Sequence, residues 1–368
     1  MNAPTPPPPP SLPPDPVILL AEDQPTWFTP RRLSYIFMAM MLLLIGSLHM
    51  TTLLITTLFA YFALRQFSFG RSKPLGLVIF TVVIIGVFYG VVYFSKQAYV
   101  AFPRIAETTI PAVVGFAEKQ GIELPFTDSA SLRQLLLNEA RDRFTNIGRY
   151  ARDVTFLLIY VIIGIVVAVS LFINARLGVE DDPHTARDSL YAITAKEIAM
   201  RFITFYRSFT IVMGAQILIS VINSILTGIF LYSAGFPFAV VLFACTFACG
   251  LLPIIGNILS NTLITCVAFT ISPKMALIAL VFLVTIHKLE YFLNSKIIGD
   301  RIKNPMWLTL LGLLLGEKLM GIPGMILAPI VLHYIKVESS RARAQEEPRP
   351  KGMNDGDEDD RSDLLIKV

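Results

Sequence analysis

Charged side chains are scarce in this chain. They make up 16% of its 368 residues, against about 25% in ordinary soluble domains, while hydrophobic residues make up 54%. The net charge of +4 is small and scattered, which excludes the concentrated basic face expected of a nucleic-acid-binding protein. The composition therefore predicts an integral membrane protein whose first partner is the lipid bilayer.

The residues that hold metals, disulfides and phosphates are also few. The three cysteines, Cys245, Cys249 and Cys266, lie in apolar sequence, and their odd number speaks against a disulfide framework. The four histidines are isolated, so no metal site is expected. No phosphate-binding glycine loop indicates an ATP-driven pump, and no nucleophile motif indicates an enzyme. We therefore expect no cofactor and no catalytic residues.

Two long apolar stretches near the C-terminal end are each interrupted by glycine and proline. They cover residues 237–271 and 305–335. An offset of 68 positions takes Pro237 onto Pro305, and the same offset places Gly256 on Gly324. The two stretches therefore predict one structural element that is used twice.

Each half of these stretches is too short to cross a membrane comfortably. About 15 residues at roughly 1.5 Å each reach about 22 Å, less than the hydrocarbon core of about 30 Å. Free backbone groups at membrane depth must be buried in protein or line an aqueous cavity, so paired interruptions indicate a transport site. The basic loop between the stretches favours hairpins that enter and return on one side, with both termini cytoplasmic. Ordinary kinked helices without a nearby substrate are the alternative.

The rest of the chain divides where its composition changes. Residues 1–30 contain eleven prolines and predict a disordered cytoplasmic tail, and residues 31–95 predict three membrane spans, the first two as a hairpin. Residues 96–153 interleave charged and apolar positions at helical spacing, which indicates amphipathic helices outside the membrane. Residues 154–335 form the predicted membrane core, and the polar residues 336–368 predict a disordered cytoplasmic tail. The fold class is all-α: a polytopic membrane bundle of about eight hydrophobic segments, two of them broken or re-entrant, with an extramembrane helical insertion.

Polar side chains inside apolar segments are the candidate site residues. Gln216 and Asn223 lie seven positions apart and share one helix face. Glu290 follows about 15 apolar residues, and an ionisable group inside a membrane bundle is a functional hypothesis by default. A pair with a lysine of its own helix, or snorkelling to the headgroups, is the alternative. The predicted substrate or ion pathway comprises Gln216, Asn223, Pro253, Gly256, Asn257, Asn261, Glu290, Glu317, Gly321, Gly324 and Pro329.

Several of these residues lie in patterns that resemble a known family. The central pattern consists of Gly214-Ala215-Gln216, Gly228, Gly235-Phe236-Pro237 and Leu252-Pro253-Ile254-Ile255-Gly256, and the C-terminal pattern of Glu290, Ile297-Ile298-Gly299, Asn304-Pro305, Gly312, Gly316, Gly321, Gly324 and Ala328-Pro329. Over about residues 30 to 337 the chain resembles the autoinducer-2 exporter family of bacterial membrane proteins. The resemblance implies a secondary transporter in the bacterial cell membrane. Members are associated with export of the furanone autoinducer-2, and others with sodium or lithium/proton antiport.

The chain departs from the family pattern beside both interruptions. Ser260-Asn261 stands where an Ile-Pro pair is usual, Ser295 replaces a frequent proline, and Glu317-Lys318 replaces small apolar residues. The leading hypothesis is a secondary transporter that moves a small polar solute outward, with Glu290 as the proton or cation carrier. A Na⁺(Li⁺)/H⁺ antiporter and a non-transporting membrane scaffold are the alternatives, and the chain is compatible with a homo-oligomer.

Overall fold

The computed structural model describes residues 29–68, 72–119, 121, 147–174, 190–252, 255–298 and 305–346. Within these ranges the chain forms nine helices and no strand, so the all-α prediction is confirmed there. The helices are α1 Pro30–Ser47, α2 Thr51–Phe67, α3 Lys73–Lys119, α4 Ile147–Ile173, α5 Leu190–Ser233, α6 Ala239–Gly250, α7 Ile255–Ile271, α8 Pro273–Ile298 and α9 Met306–Glu346.

Four of the described helices are long and apolar enough to cross a membrane. By length and composition they contain the spans Lys73–Phe116, Val154–Ile173, Leu190–Ser233 and Trp307–Arg341, and the bent pair α1 and α2 brings the number to five at most. The last of these, in α9, is broken at Gly321. The predicted count of about eight segments is not confirmed. One physical reason is that α6 and α7, with 12 and 17 residues, fall below the length of a spanning helix.

Two helices run through boundaries that the change of composition predicts. Helix α3 continues past residue 96 to Lys119 and includes Pro103 and Pro111. Helix α9 likewise extends to Glu346, beyond the predicted start of the C-terminal tail. The predicted N-terminal tail to residue 28, residues 122–146 of the predicted amphipathic region and residues 347–368 of the predicted C-terminal tail lie outside the described residues.

The first interrupted stretch forms a helical hairpin. Helices α6 and α7 pack against each other, and Val241 and Leu242 share one buried core with Ile264 and Val267. Phe238 precedes α6 with a φ of 58°, a left-handed conformation that sets the entry of the chain into the hairpin. The turn at residues 253–254 lies outside the described part.

The second interrupted stretch folds back within α9. Gly321 leaves helical geometry, with a φ of 65° and a ψ of −154°, a conformation that glycine adopts without steric cost. A Cβ atom placed on Gly312 would lie 2.9 Å from Leu332 Cδ1. Residues about 20 positions apart would be about 30 Å apart in a straight helix. The halves 306–320 and 322–346 are therefore antiparallel neighbours joined at Gly321.

Helix α3 contacts two separate parts of the bundle. Near its start, Phe80 packs with α2 and α4 in a buried cluster that includes Leu64 and Phe172. Farther along, Ala101 and Ile105 pack in the core of the first hairpin, and the Phe116 ring lies 5.4 Å from that of Phe269. One helix thus joins both clusters.

The described residues of 45–176 and 204–346 belong to one compact unit, and those of 29–44 and 190–203 to another. In the second unit a buried arginine joins α1 to α5. Arg201 Nη2 lies 2.7 Å from Glu197 Oε2, its Nε donates to Ser34 Oγ over 3.3 Å, and its guanidinium lies 4.3 Å from the centre of the Tyr35 ring. The buried guanidinium thus has an ionic partner in Glu197 and a hydrogen-bond partner in Ser34, which offset the cost of burying its charge.

Candidate functional site

One face of α5 carries a row of polar side chains that point into the bundle. Gln216, Ser220 and Asn223 lie three and four residues apart, so helical geometry places them on one face. Ser220 is 1% exposed and Asn223 is 7% exposed. Because buried polar groups are costly without partners, each of these side chains has to find a hydrogen bond on a neighbouring element.

Two of these side chains form hydrogen bonds to the C-terminal end of α6, where the first hairpin is interrupted. The last four carbonyls of a helix have no partner within it, and at the end of α6 these belong to residues 247–250. Ser220 Oγ donates to the Phe247 carbonyl over 3.0 Å, and Gln216 Nε2 donates to the Gly250 carbonyl over 2.6 Å. Backbone N–H groups of the following turn satisfy the two carbonyls between them. Side chains of α5 therefore satisfy backbone carbonyls at the interruption. In apolar surroundings no water can do so.

The third side chain of the row contacts the carboxylate of Glu290 on α8. Glu290 Oε2 accepts hydrogen bonds from Asn223 Nδ2 at 3.1 Å and from Asn257 Nδ2, in the first turn of α7, at 2.6 Å. His287 Nδ1, one turn earlier on α8, lies 3.8 Å from the same oxygen. We call Glu290, Asn223, Asn257 and His287 the Glu290 cluster; it brings three helices together.

The cluster contains a hydrogen-bond acceptor to which no described group donates. Asn223 Oδ1 is buried and has no hydrogen-bond partner in the described part of the chain. The Glu290 side chain is only 14% exposed. The cluster thus contains a carboxylate and a buried amide oxygen on adjacent side chains. Chemically, this arrangement suits a proton, a cation or the hydroxyl of a polar solute.

The structure brings together only some of the predicted site residues. Gln216, Asn223, Asn257 and Glu290 meet around the first hairpin, and Gly256 is buried beside them, where a Cβ atom would overlap the Cys249 carbonyl. Asn261, one turn beyond Asn257, is half-buried and does not join the hydrogen bonds of the Glu290 cluster. Pro253 lies outside the described residues.

The remaining predicted residues belong to the second hairpin. Glu317 and Gly321 are exposed, Gly324 is buried against the Gly316 carbonyl, and Pro329 is half-buried. No hydrogen bond or ion pair in the described part of the chain joins them to Glu290. Two contributors were not predicted as site residues: Ser220 and His287. Ser220 could have been found, because it lies four positions after Gln216 on the same helix face.

Comparison with known proteins gives two matches. The family model for AI-2E family transporters matches residues 32–343, which include every predicted site residue. Over 200 residues the chain is 26% identical to a Bacillus subtilis (strain 168) protein named "Putative transport protein YdbI". This alignment covers 54% of the chain and 57% of that relative, so the chain spans little more than half the length of the curated relative it matches.

Proposed function

Because the chain belongs to the AI-2E family of transporters, we propose that it moves a small polar solute out of the cell through a site centred on Glu290. Family membership confirms the resemblance drawn from the residues and makes the chain a multi-pass membrane protein of transporter type. The solute, the outward direction and the site residues are what the proposal adds. The observation that supports it best is a carboxylate held by amides from two other helices.

The position of the cluster along α5 supports a site inside the membrane. The apolar part of α5 begins at Phe209, and Asn223 follows about 14 residues later, roughly 21 Å along the helix. The hydrocarbon core is about 30 Å thick. An upright α5 therefore carries Asn223, and with it Glu290, well below the surface. An ionisable side chain at such depth is expensive unless it takes part in function or is fully paired.

In the proposed mechanism Glu290 alternates between an ionised and a protonated form. While ionised, its Oε2 accepts the N–H groups of Asn223 and Asn257. When the carboxylate takes a proton, it becomes a donor, and the hydrogen bonds to the amides weaken. The unpaired Asn223 Oδ1 then offers a second acceptor for a hydroxyl of the solute. Proton uptake and solute binding are thereby coupled at one position.

The two hairpins form the gates of the proposed pathway. The first contributes Pro253, Gly256, Asn257 and Asn261, and the second contributes Glu317, Gly321, Gly324 and Pro329. Movement of the first hairpin pulls Asn257 away from Glu290 and changes the bonds that Gln216 and Ser220 make to its backbone. Binding at Glu290 and opening of the hairpin therefore influence each other.

We place both termini in the cytoplasm of a bacterial cell. Arg65 lies in the last turn of α2, and Lys73 at the start of α3 donates from Nζ to the Ile173 carbonyl over 2.8 Å. The ends of α2 and α4 and the start of α3 thus form one basic end of the bundle. Basic residues near the ends of spans mark the cytoplasmic side.

A Na⁺(Li⁺)/H⁺ antiporter is the second candidate. The same two oxygens, Glu290 Oε2 and Asn223 Oδ1, are hard ligands of the type that Na⁺ and Li⁺ accept. A carboxylate that binds a proton and a cation in turn is the minimum chemistry of antiport. This alternative uses the same site and differs in what replaces the proton.

Flux measurements in proteoliposomes test both candidates. The wild-type chain, Glu290→Gln and Glu107→Gln are compared with a panel of small polyols and with Na⁺, Li⁺ and K⁺ across a pH gradient. Glu290→Gln removes the charge and keeps the shape, so we expect flux to fall by at least tenfold. Glu107 is an exposed carboxylate on α3, and its substitution should leave flux near the wild-type rate.

The outcomes separate the alternatives. Solute efflux that does not depend on the cation would exclude antiport, and cation flux without solute movement would exclude solute export. If wild-type vesicles transport neither, and Glu290→Gln also changes nothing in cells, the chain is a scaffold. If Glu290→Gln transports as well as Glu107→Gln, the site has been assigned to the wrong residue.

A further inference from the structure

A polar cavity lies between α2, α5 and α9, away from the Glu290 cluster. Its volume is about 430 Å³. The last turn of α2, residues 204–211 of α5 and residues 333–341 of α9 line it. Three arginines, one from each helix, face it: Arg65, Arg207 and Arg341. We call this space the arginine cavity.

The charge of the arginine cavity is of one sign. Among the described residues that line it, none is an aspartate or a glutamate. Glu338 Oε1 lies 3.9 Å from Arg341 Nη1. Arg341 Nη1 also donates to Thr204 Oγ1 over 2.9 Å, which fixes the guanidinium against α5. One carboxylate against three guanidinium groups leaves the cavity positively charged.

The inner wall of the cavity carries polar side chains without partners. His333 is 3% exposed, and neither ring nitrogen has a hydrogen-bond partner within the described part of the chain. Ser208 is 1% exposed, and its Oγ is unpartnered there as well. Buried polar groups in native structures nearly always have a partner. His333 and Ser208 thus place polar side chains in the wall of the cavity, next to three arginines.

Aromatic contacts hold the three helices around the cavity in fixed positions. Phe209 is fully buried on α5 and packs edge-on against two rings of α2. The distance between ring centres is 5.0 Å for Phe59 and 6.3 Å for Phe62. Phe205 of α5 packs in the same way on Tyr334 of α9 at 5.7 Å. The arginines therefore project from a packed framework, so a ligand does not have to order the helices that bind it.

We propose that the arginine cavity binds a phosphate-bearing anion, either the headgroup of an anionic lipid or a free phosphate compound. Guanidinium groups match the oxygens of phosphate in a bidentate way. Phe62, Ile211 and Val337 share the wall, which favours an anion with an apolar part. The cavity lies where the apolar part of α5 begins, and basic pockets between membrane helices at that level bind lipid headgroups.

Binding to the purified full-length protein tests this proposal. The protein is stripped of lipid in detergent and titrated with inorganic phosphate and, separately, with phosphatidylglycerol, while native mass spectrometry and thermal unfolding are recorded. Phosphatidylcholine is the matched neutral lipid. We expect phosphatidylglycerol or phosphate, but not phosphatidylcholine or chloride at equal ionic strength, to bind and to raise the apparent Tm.

Variants locate the site. Arg207→Gln should weaken binding about tenfold, since it removes one charge-assisted contact, and Arg65→Gln should act in the same way. Ser208→Ala keeps the charge and should weaken binding less. Arg104→Gln removes an exposed arginine of α3 outside the cavity and should leave binding unchanged. Binding of phosphatidylglycerol alone identifies a lipid site, and binding of phosphate identifies a soluble ligand.

Two results would overturn the proposal. One is that Arg104→Gln weakens binding as much as Arg207→Gln, because only the total charge would then matter. The other is that neither anion binds the wild-type protein. The result does not depend on transport, so the proposed function at Glu290 stands or falls separately.

Discussion

The tightest contact of the second hairpin joins two glycines, and it can be tested by adding one methyl group. In Gly324→Ala the new Cβ would overlap the Gly316 carbonyl oxygen and would lie 2.6 Å from Met320 Cβ. Neither atom is the flexible end of a side chain, so the two halves of α9 must separate. Overpacking of this kind costs about 1–3 kcal/mol. The better helix propensity of alanine returns about 1 kcal/mol, so we expect a net loss of up to about 2 kcal/mol.

Gly214→Ala is the matched control. Gly214 lies in the interior of α5, and no atom lies within 4 Å of the Cβ that alanine would add. The same substitution there should stabilise by about 1 kcal/mol through propensity alone. Thermal unfolding of the purified protein in detergent, followed by far-UV circular dichroism, compares the two. We expect Gly324→Ala to have the lower apparent Tm and Gly214→Ala the higher one.

The comparison has a clear negative result. If Gly324→Ala is as stable as Gly214→Ala, the two halves of α9 do not approach each other at Gly316 and Gly324. The hairpin geometry inferred from Gly312 and Leu332 would then be wrong as well, since the same fold-back accounts for both contacts.

Two further substitutions examine contacts around the sites by the same unfolding measurement. Gln216→Leu leaves the Gly250 carbonyl unpaired at the break of the first hairpin, so the free energy of unfolding should fall by about 1–3 kcal/mol. An unchanged Tm would mean that this hydrogen bond does not stabilise the fold. Phe209→Ala empties a fully buried aromatic position between α2 and α5 and should cost about 3–5 kcal/mol. Phe88 is 69% exposed on α3, so Phe88→Ala should change stability by no more than about 0.5 kcal/mol; equal losses in the two variants would contradict the packing described.

The positions of the hairpin breaks could be predicted because they depend on local backbone requirements. The sequence offset marked Gly256 and Gly324, and in the structure each lies where a Cβ would meet a carbonyl of the opposite half. Gly321 leaves helical geometry inside the predicted interruption. Glycine is needed wherever backbones approach this closely, so the residue type itself carries the information.

Helix lengths were predicted less well, because composition does not end a helix. Helix α3 continues through the charged residues after position 96, and α5 continues through Arg207. Lysine, arginine and glutamate are good helix formers, and α3 continues even through Pro103 and Pro111. The change from apolar to polar sequence marks where a helix leaves the membrane, which is a different boundary.

The partners of the site residues could be predicted only in part. An apolar segment makes Glu290 and Asn223 conspicuous, but nothing local indicates that Asn257 donates to the same carboxylate oxygen. The arginine cavity was not predicted at all. The proximity of Arg65 to Arg207 and Arg341 arises from the packing of three helices that lie far apart in sequence.

The long helix α3 packs against two parts of the bundle that lie far apart along its axis. Its contact with the α2 and α4 cluster at Phe80 and its contact with the first hairpin at Ala101 are about 20 residues apart, roughly 30 Å along the axis. A tilt of about 5° at one contact moves the other by roughly 3 Å, about the length of one hydrogen bond. Such a displacement would be enough to separate Asn257 from Glu290 if the hairpin followed it. The helix that packs near the basic end of the bundle thus also packs on the first hairpin, which carries Asn257.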